Sequence, residues 1–293
     1  MRVLSLGGGQ QSTAIYLMAA NGHEGVTPLD YAIFSDTGEE PAWVYEQVEA
    51  LSAYRTPEGK PGAPILVRWP VDSTGKQVRL GDNLLTGNQR RFATIPAFIK
   101  HVAIWTRNGK NAQGKSKRQC TREFKVEVVE RTIRREILDL KPGQAYRGPR
   151  ITQLFGLDFS EGGRIVRTKA RLAEGVISVG EFPLWDLQWK RKDCTEYITE
   201  VWGREVLPSA CTFCPLVKND FRRLLRDRDP VGHERACAVD RGLRQPGAAA
   251  AKMLDGELYI HRSMVPLEEV NLDVEPSGLT HAMFGDCEGL CGL

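Results

Sequence analysis

The sequence contains no long apolar run and no large excess of either charge. No segment approaches the roughly 18 uninterrupted apolar residues that a membrane-spanning helix requires, and the first residues show no basic stretch followed by an apolar run. Forty basic and thirty-seven acidic side chains give a formal net charge of +3, which is too small to imply nucleic-acid binding by bulk electrostatics. We therefore expect a cytoplasmic protein with no membrane partner, in which any contact with nucleic acid uses a local basic patch.

Two common signals of metal binding and secretion are also missing. The five histidines form no H-x-x-x-H pair, and the seven cysteines are an odd number in a chain of 293 residues. The odd number argues against a secreted disulfide framework and favours metal binding or thiol chemistry. A hydrophobic content of 41% allows a sizeable core, so one large domain with elaborations is the simplest organisation.

Apolar patterning alternates between strands and helices in the first seventy residues. It predicts three strands and two helices, over Arg2–Leu6, Leu29–Phe34 and Pro64–Trp69, and over Ser12–Ala20 and Glu40–Tyr54. This alternation is typical of an α/β fold with a Rossmann-like, doubly wound, mostly parallel sheet and helices on both faces. We expect residues 1–205 to form this nucleotide-binding part and residues 206–293 to form an irregular, cysteine-bearing extension packed on it.

The rest of the chain has weaker local signals. They predict one strand and four helices, over Ile151–Leu157 and over Glu123–Leu138, Cys194–Gly203, Phe221–Arg228 and His233–Arg241. Residues 107–118 carry five basic side chains, glycines and no acid, which predicts a mobile loop.

A run of three glycines joins the first predicted strand to the first predicted helix. Gly7, Gly8 and Gly9 let backbone N–H groups approach an anion, and the helix N-terminus adds donors and a partial positive charge. Ser12 and Thr13 add hydroxyl groups. The run lacks the lysine of a Walker loop, so an ordinary tight turn is the alternative to a phosphate site.

The second predicted strand is followed by Asp36, in Asp36-Thr37-Gly38. Its carboxylate stands where open α/β sheets bind ligands, just past the carboxyl end of a strand. This placement supports a ligand site, and an ordinary Asp-Thr-Gly turn is the alternative.

Four separated segments follow the order of a known family pattern: Gly7-Gly8-Gly9-Gln10-Gln11-Ser12-Thr13, Asp36-Thr37-Gly38, Phe155-Gly156-Leu157-Asp158-Phe159-Ser160-Glu161 with Arg164, and Pro183-Leu184-Trp185-Asp186. On these segments the chain resembles the adenine nucleotide α-hydrolase-like superfamily, particularly its phosphoadenosine phosphosulfate (PAPS) reductase-like branch. The resemblance implies a pyrophosphate loop that binds ATP or a related adenine nucleotide. Gln11, Ser12, Thr13 and Gly156 are then nucleotide-binding candidates.

Three positions depart from the family pattern. Gly7 replaces the usual first serine, and Gln11 replaces an aspartate whose carboxylate could assist a magnesium ion. Asp158 stands near the position at which the reductases have an arginine, and a carboxylate repels a sulfate or phosphate group. The sequence therefore predicts phosphate binding more firmly than ATP cleavage, leaves the need for magnesium open, and disfavours PAPS itself.

Three cysteines form a second candidate site. Cys211 and Cys214 lie on one turn, with the spacing of a half-site for zinc or an iron–sulfur cluster. Cys120 opens a segment that resembles the cluster-binding region of adenosine phosphosulfate (APS) reductases, with Thr121 in place of one cysteine. The resemblance implies a 4Fe-4S cluster, with zinc, redox thiols and inert packing as alternatives. Three thiolates leave one iron open unless a tail cysteine such as Cys287 completes the site.

The remaining cysteines differ in their surroundings. Cys194 and Cys237 fall in predicted helices, where a buried, small hydrophobic side chain is the ordinary role. The tail, 285–293, resembles the C-terminal Glu-Cys-Gly segment of the reductases, whose cysteine attacks sulfur. That resemblance makes Cys291 a candidate catalytic nucleophile and Cys287 a ligand or resolving thiol; incidental thiols on a floppy terminus are the alternative.

Together these features favour an ATP-using, iron–sulfur-dependent sulfur-transfer enzyme of the PAPS reductase-like family, which also requires a sulfur donor. Asp36 would orient a ribose or a metal ion, and Arg164 would stabilise negative charge at the reacting centre. The basic residues of Arg107–Arg118 favour an RNA or DNA substrate, with Trp105 available to stack on a base; a solvated charged face is the alternative.

Two other functions stay open. An APS or PAPS reductase would use Cys291 and a thiol reductant to release sulfite. A non-catalytic sensor of a nucleotide or a cluster would use the same fold without the chemistry. The sequence also leaves the choice between a monomer and a homodimer open.

Overall fold

The computed structural model describes residues 1–85, 95–105, 111–246, 248 and 256–274. Its strands in chain order are β1 (Arg2–Leu6), β2 (Tyr31–Ser35), β3 (Ile65–Arg68), β4 (Phe98–Trp105), β5 (Asn111–Lys115), β6 (Ile151–Phe155), β7 (Ser178–Glu181) and β8 (Glu257–Tyr259). Its α-helices are α1 (Gln10–Ala20), α2 (Ala42–Ser52), α3 (Leu80–Leu85), α4 (Glu127–Thr132), α5 (Gly162–Ala173), α6 (Pro183–Asp186), α7 (Arg191–Trp202), α8 (Asn219–Arg228) and α9 (Pro230–Leu243). Two π-helical turns flank α4, Arg122–Val126 and Ile133–Ile137.

The main sheet is parallel and has the strand order β3-β2-β1-β6-β7. This arrangement confirms the predicted α/β class and is consistent with a Rossmann-like fold. Since the carboxyl ends of parallel strands meet at one edge, the residues after β1, β2 and β6 come together there. The glycine loop, Asp36 and Gly156 therefore share one edge of the sheet.

The side chains of β1 divide between two apolar clusters. Leu4 packs in a cluster that includes Ile15 of α1. Val3 packs in a second cluster with Val129 of α4 and Ile133 of the following π-helical turn. Successive residues of a strand point to opposite faces, so each set of β1 side chains is covered by a different helical segment.

A second sheet, with antiparallel pairing and the order β5-β4-β8, was not expected from the sequence. Strand β5 lies within 107–118, so the predicted loop is wrong for residues 111–115; residues 107–110 lie outside the described part. Asn, Gln, Gly and Lys have little intrinsic preference for strands, and pairing with β4 compensates for that. Strand β8 pairs with the other edge of β4, so the predicted extension contributes to this sheet.

Several other elements bear on the predictions. Helix α5 and strand β7 have no counterpart among the predicted elements. Helix α7 ends at Gly203, as expected, because Gly203 adopts the left-handed conformation with φ of 65°. Among the described helices, none has the length and apolar character needed to cross a bilayer.

Candidate functional site

The glycine loop is closed by hydrogen bonds within its own sequence. Ser12 Oγ accepts from the Gly7 N–H at 3.1 Å and donates to the Gly9 carbonyl at 3.2 Å. The Thr13 N–H donates to the same carbonyl at 3.1 Å, which forms the first turn of α1. Helix α1 has neither a side-chain cap on Gly9 nor an acid in its first turn. Its first N–H groups, which an α-helix leaves without intrahelical partners, are suited to an anion.

Gly156 lets the end of β6 approach the start of α1. A Cβ at Gly156 would stand 2.8 Å from the Ser12 nitrogen and 3.2 Å from the Gln11 carbonyl carbon. A side chain at this position would therefore displace the first turn of α1. Gly156 consequently supports the loop through close packing, while a direct contact with a nucleotide stays a prediction.

Two departures from the family pattern contact one another. Gln11 Nε2 donates to Asp158 Oδ2 at 3.3 Å, and both side chains are buried. The other oxygen of Asp158 accepts from the N–H of Ser160 at 2.8 Å and also from its hydroxyl group. The amide at position 11 is thus matched to the carboxylate at position 158, because a carboxylate at both positions would bring two negative charges together.

Arg164 forms a salt bridge with Glu161. Glu161 Oε2 also accepts from the Asp158 N–H at 3.1 Å. Burial raises the pKa of Glu161, and the nearby Arg164 guanidinium opposes that shift. These contacts connect Arg164 to Gln11 through Glu161 and Asp158, and its predicted action on a reacting centre stays a prediction.

Asp36 is held at the end of β2 by two donors. Its Oδ1 atom accepts from the Gly38 N–H at 2.7 Å and from the Tyr45 hydroxyl at 2.8 Å. Burial raises the pKa of Tyr45, and the charge of Asp36 raises it further. Tyr45 is a site residue that the sequence analysis missed, because its position in the first turn of α2 matters only once α2 packs beside the Asp-Thr-Gly loop.

Residues 206–209, which we call the clasp, pack along the glycine loop. Ser209 Oγ donates to the Gly7 carbonyl, and a Cβ at Gly9 would stand 3.2 Å from the Ser209 nitrogen. Gln47 of α2 joins both segments, since its Nε2 donates to the Gly8 carbonyl at 2.8 Å and its Oε1 accepts from the Leu207 N–H at 2.6 Å. Gln47 and Ser209 carry no motif, so the sequence offered no signal for them.

The clasp leads directly into a cavity that contains the three candidate cysteine ligands. Its lining includes Thr37, Arg118, Cys120, Lys125, Cys211 and Cys214. Cys211 and Cys214 are buried, and Cys120 is half-buried. The Cys214 N–H donates to the Cys211 carbonyl at 2.9 Å, which closes the Cys-x-x-Cys turn. The structure thus brings the three cysteines to one cavity, beside the Asp-Thr-Gly loop.

A buried ion pair forms part of this cavity. Lys125 Nζ lies 3.0 Å from Glu40 Oε1, and the two side chains are 10% and 0% exposed. The same oxygen lies 3.8 Å from Cys211 Sγ and accepts from Thr37 Oγ1 at 3.4 Å. Cys211 therefore contacts the carboxylate of an ion pair that is neutral as a whole, and the cation of that pair lines the same cavity.

Glu39 fixes the Cys-x-x-Cys turn to the rest of the fold. Its carbonyl accepts from the Thr212 N–H at 2.8 Å. Its carboxylate, 1% exposed, accepts from Nε and Nη2 of Arg235 at 3.1 and 2.8 Å. Such two-point pairing gives geometric specificity as well as energy. The residue next to Glu40 therefore anchors the turn to α9, a role that no local pattern revealed.

The three thiols are of a chemical type that binds metals, but their side chains are not arranged as a coordination site. In the part of the chain that the structure describes, no group of three or more His, Cys, Asp or Glu side chains is arranged to hold a metal ion. Cysteine thiolates are the usual ligands of iron–sulfur clusters and frequent ligands of zinc. The donor chemistry therefore fits either cofactor, and ligation requires the side chains to turn towards a common centre.

The other predicted site residues are placed as follows. Cys194 and Cys237 are buried in the apolar core, as expected, and burial raises the pKa of Cys194 to about 12. Cys287 and Cys291 lie outside the described residues, as does the side chain of Trp105. Of the described basic residues in 107–118, Lys115 and Lys117 are exposed, and Arg118 contributes to the cavity lining.

No family model, curated protein or solved structure matches this chain. Any function assigned to it therefore rests on the motifs and on the geometry described above.

Proposed function

We propose that this chain is an ATP-using, iron–sulfur-dependent sulfur-transfer enzyme that acts on a nucleic acid or a nucleotide. One observation carries the proposal: a single continuous segment, 206–215, packs against the glycine loop at one end and lines the cysteine cavity at the other. A nucleotide on the loop and a cofactor in the cavity would then be neighbours. Such proximity is what a two-stage reaction on one substrate requires.

The nucleotide half of the site uses the edge of the parallel sheet. The first N–H groups of α1 would hold the phosphates of ATP, with Ser12 keeping the loop in shape. Asp36, already oriented by Tyr45, would hold a ribose or a magnesium ion. We infer a doubly wound arrangement around this edge, because helical segments cover both sets of β1 side chains.

The cysteine half of the site would hold the sulfur. Cys120, Cys211 and Cys214 would hold a 4Fe-4S cluster, and the cluster, when bound, would supply the sulfur-transfer chemistry. ATP would adenylate a substrate oxygen with release of pyrophosphate. Hydrosulfide from a donor would then attack the carbon that bears the adenylated oxygen, so that a C–S bond forms as the C–O bond breaks and AMP leaves with the oxygen. Arg118 lines the cavity, and its charge would offset part of the negative charge of the thiolates. Lys125 lines it too, but is already paired with Glu40.

The substrate class follows from the charges near the cavity. Lys115 and Lys117 directly precede Arg118 in the chain, and all three side chains are exposed. A local group of cations on a chain with a formal net charge of +3 is suited to a phosphate backbone. We therefore favour RNA or DNA over an uncharged small molecule.

Anaerobic purification of the full chain, with measurement of iron, sulfide and zinc, tests the cofactor. We expect about four iron and four sulfide per chain in the wild type. C120A, C211A and C214A should each lose most of the iron. C194A is the matched control, because Cys194 is fully buried in the core and does not belong to the cavity lining.

Other outcomes would contradict the proposal. A measured content of one zinc per chain and no sulfide would show that the cysteines bind a structural zinc ion in place of a cluster. If C194A lost as much iron as the three cavity variants, the assignment of Cys120, Cys211 and Cys214 as cluster ligands would be wrong. Sulfite release from APS with a thiol reductant, in the absence of ATP, would favour a reductase over sulfur transfer.

A further inference from the structure

Arg222 of α8 is a fully buried cation that contacts the Cys-x-x-Cys turn. Its side chain is 1% exposed, and its Nη2 donates to the Cys214 carbonyl at 3.1 Å and to the Ile260 carbonyl at 2.8 Å. Its Nε and Nη1 atoms are also buried, and they have no hydrogen-bond partner among the described residues. The guanidinium group is therefore fixed at one nitrogen, while two others lack an acceptor.

The charge of Arg222 is not balanced by a salt bridge within the described part of the chain. The nearby Asp240 already accepts from Arg244 Nη2 at 2.8 Å and from the N–H groups of Ile260 and Leu267 at 2.8 and 3.0 Å. Burying an unpaired ion is unfavourable, so such a group indicates that a negative charge or a polar ligand belongs nearby.

A source of such a charge is available in the cysteine turn, which Arg222 contacts at the Cys214 carbonyl. A guanidinium group stays protonated in proteins, so Arg222 is a buried cation whose Nη2 lies 3.1 Å from the Cys214 carbonyl oxygen. When a cysteine binds a metal it does so as a thiolate, which adds negative charge where the buried cation lies.

We propose that Arg222 is a positioning residue for the cysteine cavity, which holds the backbone at Cys214 and supplies the positive charge that balances metal-bound thiolates. The proposal rests on the proposed function only in requiring that Cys120, Cys211 and Cys214 bind a metal or a cluster. Groups that orient and electrostatically support metal ligands commonly change metal affinity when they are removed.

The test compares R222Q, which is neutral, with R222K, which keeps the charge, in the full-length chain. The first measurement is the titration of the metal-free protein with Co²⁺, followed by thiolate-to-cobalt absorption. We expect R222Q to bind Co²⁺ about 10- to 100-fold more weakly than the wild type, and R222K to recover most of that loss. R223Q is the matched control, because Arg223 is the next residue of α8 and pairs with Asp220 near the surface.

The second measurement is the reduction potential of the cluster-containing protein. A fixed positive charge stabilises the more negative, reduced cluster, so R222Q should have a lower potential than both the wild type and R222K. If Arg222 had a purely structural role, the variants would differ in thermal stability, but the reduction potential of neutral R222Q would not be lower than those of the charged R222K and the wild type. If R222Q fails to fold, R222M supplies a neutral side chain that suits an apolar site.

Two results would overturn the inference in distinguishable ways. A folded R222Q or R222M with the Co²⁺ affinity and the potential of the wild type would refute the role of Arg222 while leaving the metal site intact. A wild-type chain that binds neither Co²⁺ nor a cluster would refute the proposed function, and the role of Arg222 with it.

Discussion

Gly8 shows how a single residue sets the conformation of the phosphate loop. Its φ is +71°, and a Cβ would stand 2.8 Å from Val44 Cγ1 and 3.2 Å from Phe34 Cε2. G8A therefore combines backbone strain with overpacking, and we expect it to lower the free energy of unfolding by about 2 to 4 kcal/mol. Urea unfolding measures this change.

Gly22 provides a control that measures the cost of backbone strain without overpacking. Its φ is +68°, and no atom lies within 4 Å of the position that a Cβ would occupy. G22A should cost only about 1 kcal/mol. Equal losses for the two variants would show that Val44 and Phe34 move aside at little cost, and that close packing does not set the loop conformation.

At the scale of elements, Gln47 connects α2, the glycine loop and the clasp. Q47A removes the donor to the Gly8 and Leu207 carbonyls and the acceptor for the Leu207 N–H, which leaves three backbone groups without these partners. We expect a loss of about 1 to 3 kcal/mol. We also expect faster amide hydrogen exchange in residues 206–210 and weaker ATP binding in calorimetry.

Glu46 is the neighbouring control for the clasp, since it is exposed on the same helix. E46A should leave exchange in residues 206–210 and ATP affinity unchanged. If Q47A also leaves both unchanged, the clasp does not support the nucleotide loop, and the connection between the two halves of the site loses its main argument.

Local sequence predicts those strands and loops whose conformation is determined by their own residues. β1 and β6 are mostly buried strands of the parallel sheet in which apolar side chains predominate, and the loop after β1 carries its glycines in its own sequence. β5 depends instead on pairing with β4. Arg222, Gln47 and Glu39 acquire their roles only through contacts with distant segments, so no motif could predict them.

At the scale of the whole molecule, the net charge is small, so binding of a polyanion should depend on where basic side chains lie more than on their total number. K117Q/R118Q and K192Q/R226Q each remove two basic side chains from the surface. Lys192 and Arg226 lie on α7 and α8, and they pair with Glu196 and Asp227. The two double variants therefore have the same formal net charge but differ in where the charge is lost.

If a phosphate backbone binds at the mouth of the cysteine cavity, only K117Q/R118Q should weaken RNA binding strongly. The slope of log affinity against log salt concentration should also become shallower by about 1.4 to 1.8, because two phosphate contacts are lost. Fluorescence anisotropy at several salt concentrations gives both quantities. Equal weakening in the two double variants would mean that any RNA binding is a diffuse effect of net charge, and the substrate would then have to be sought among small nucleotides.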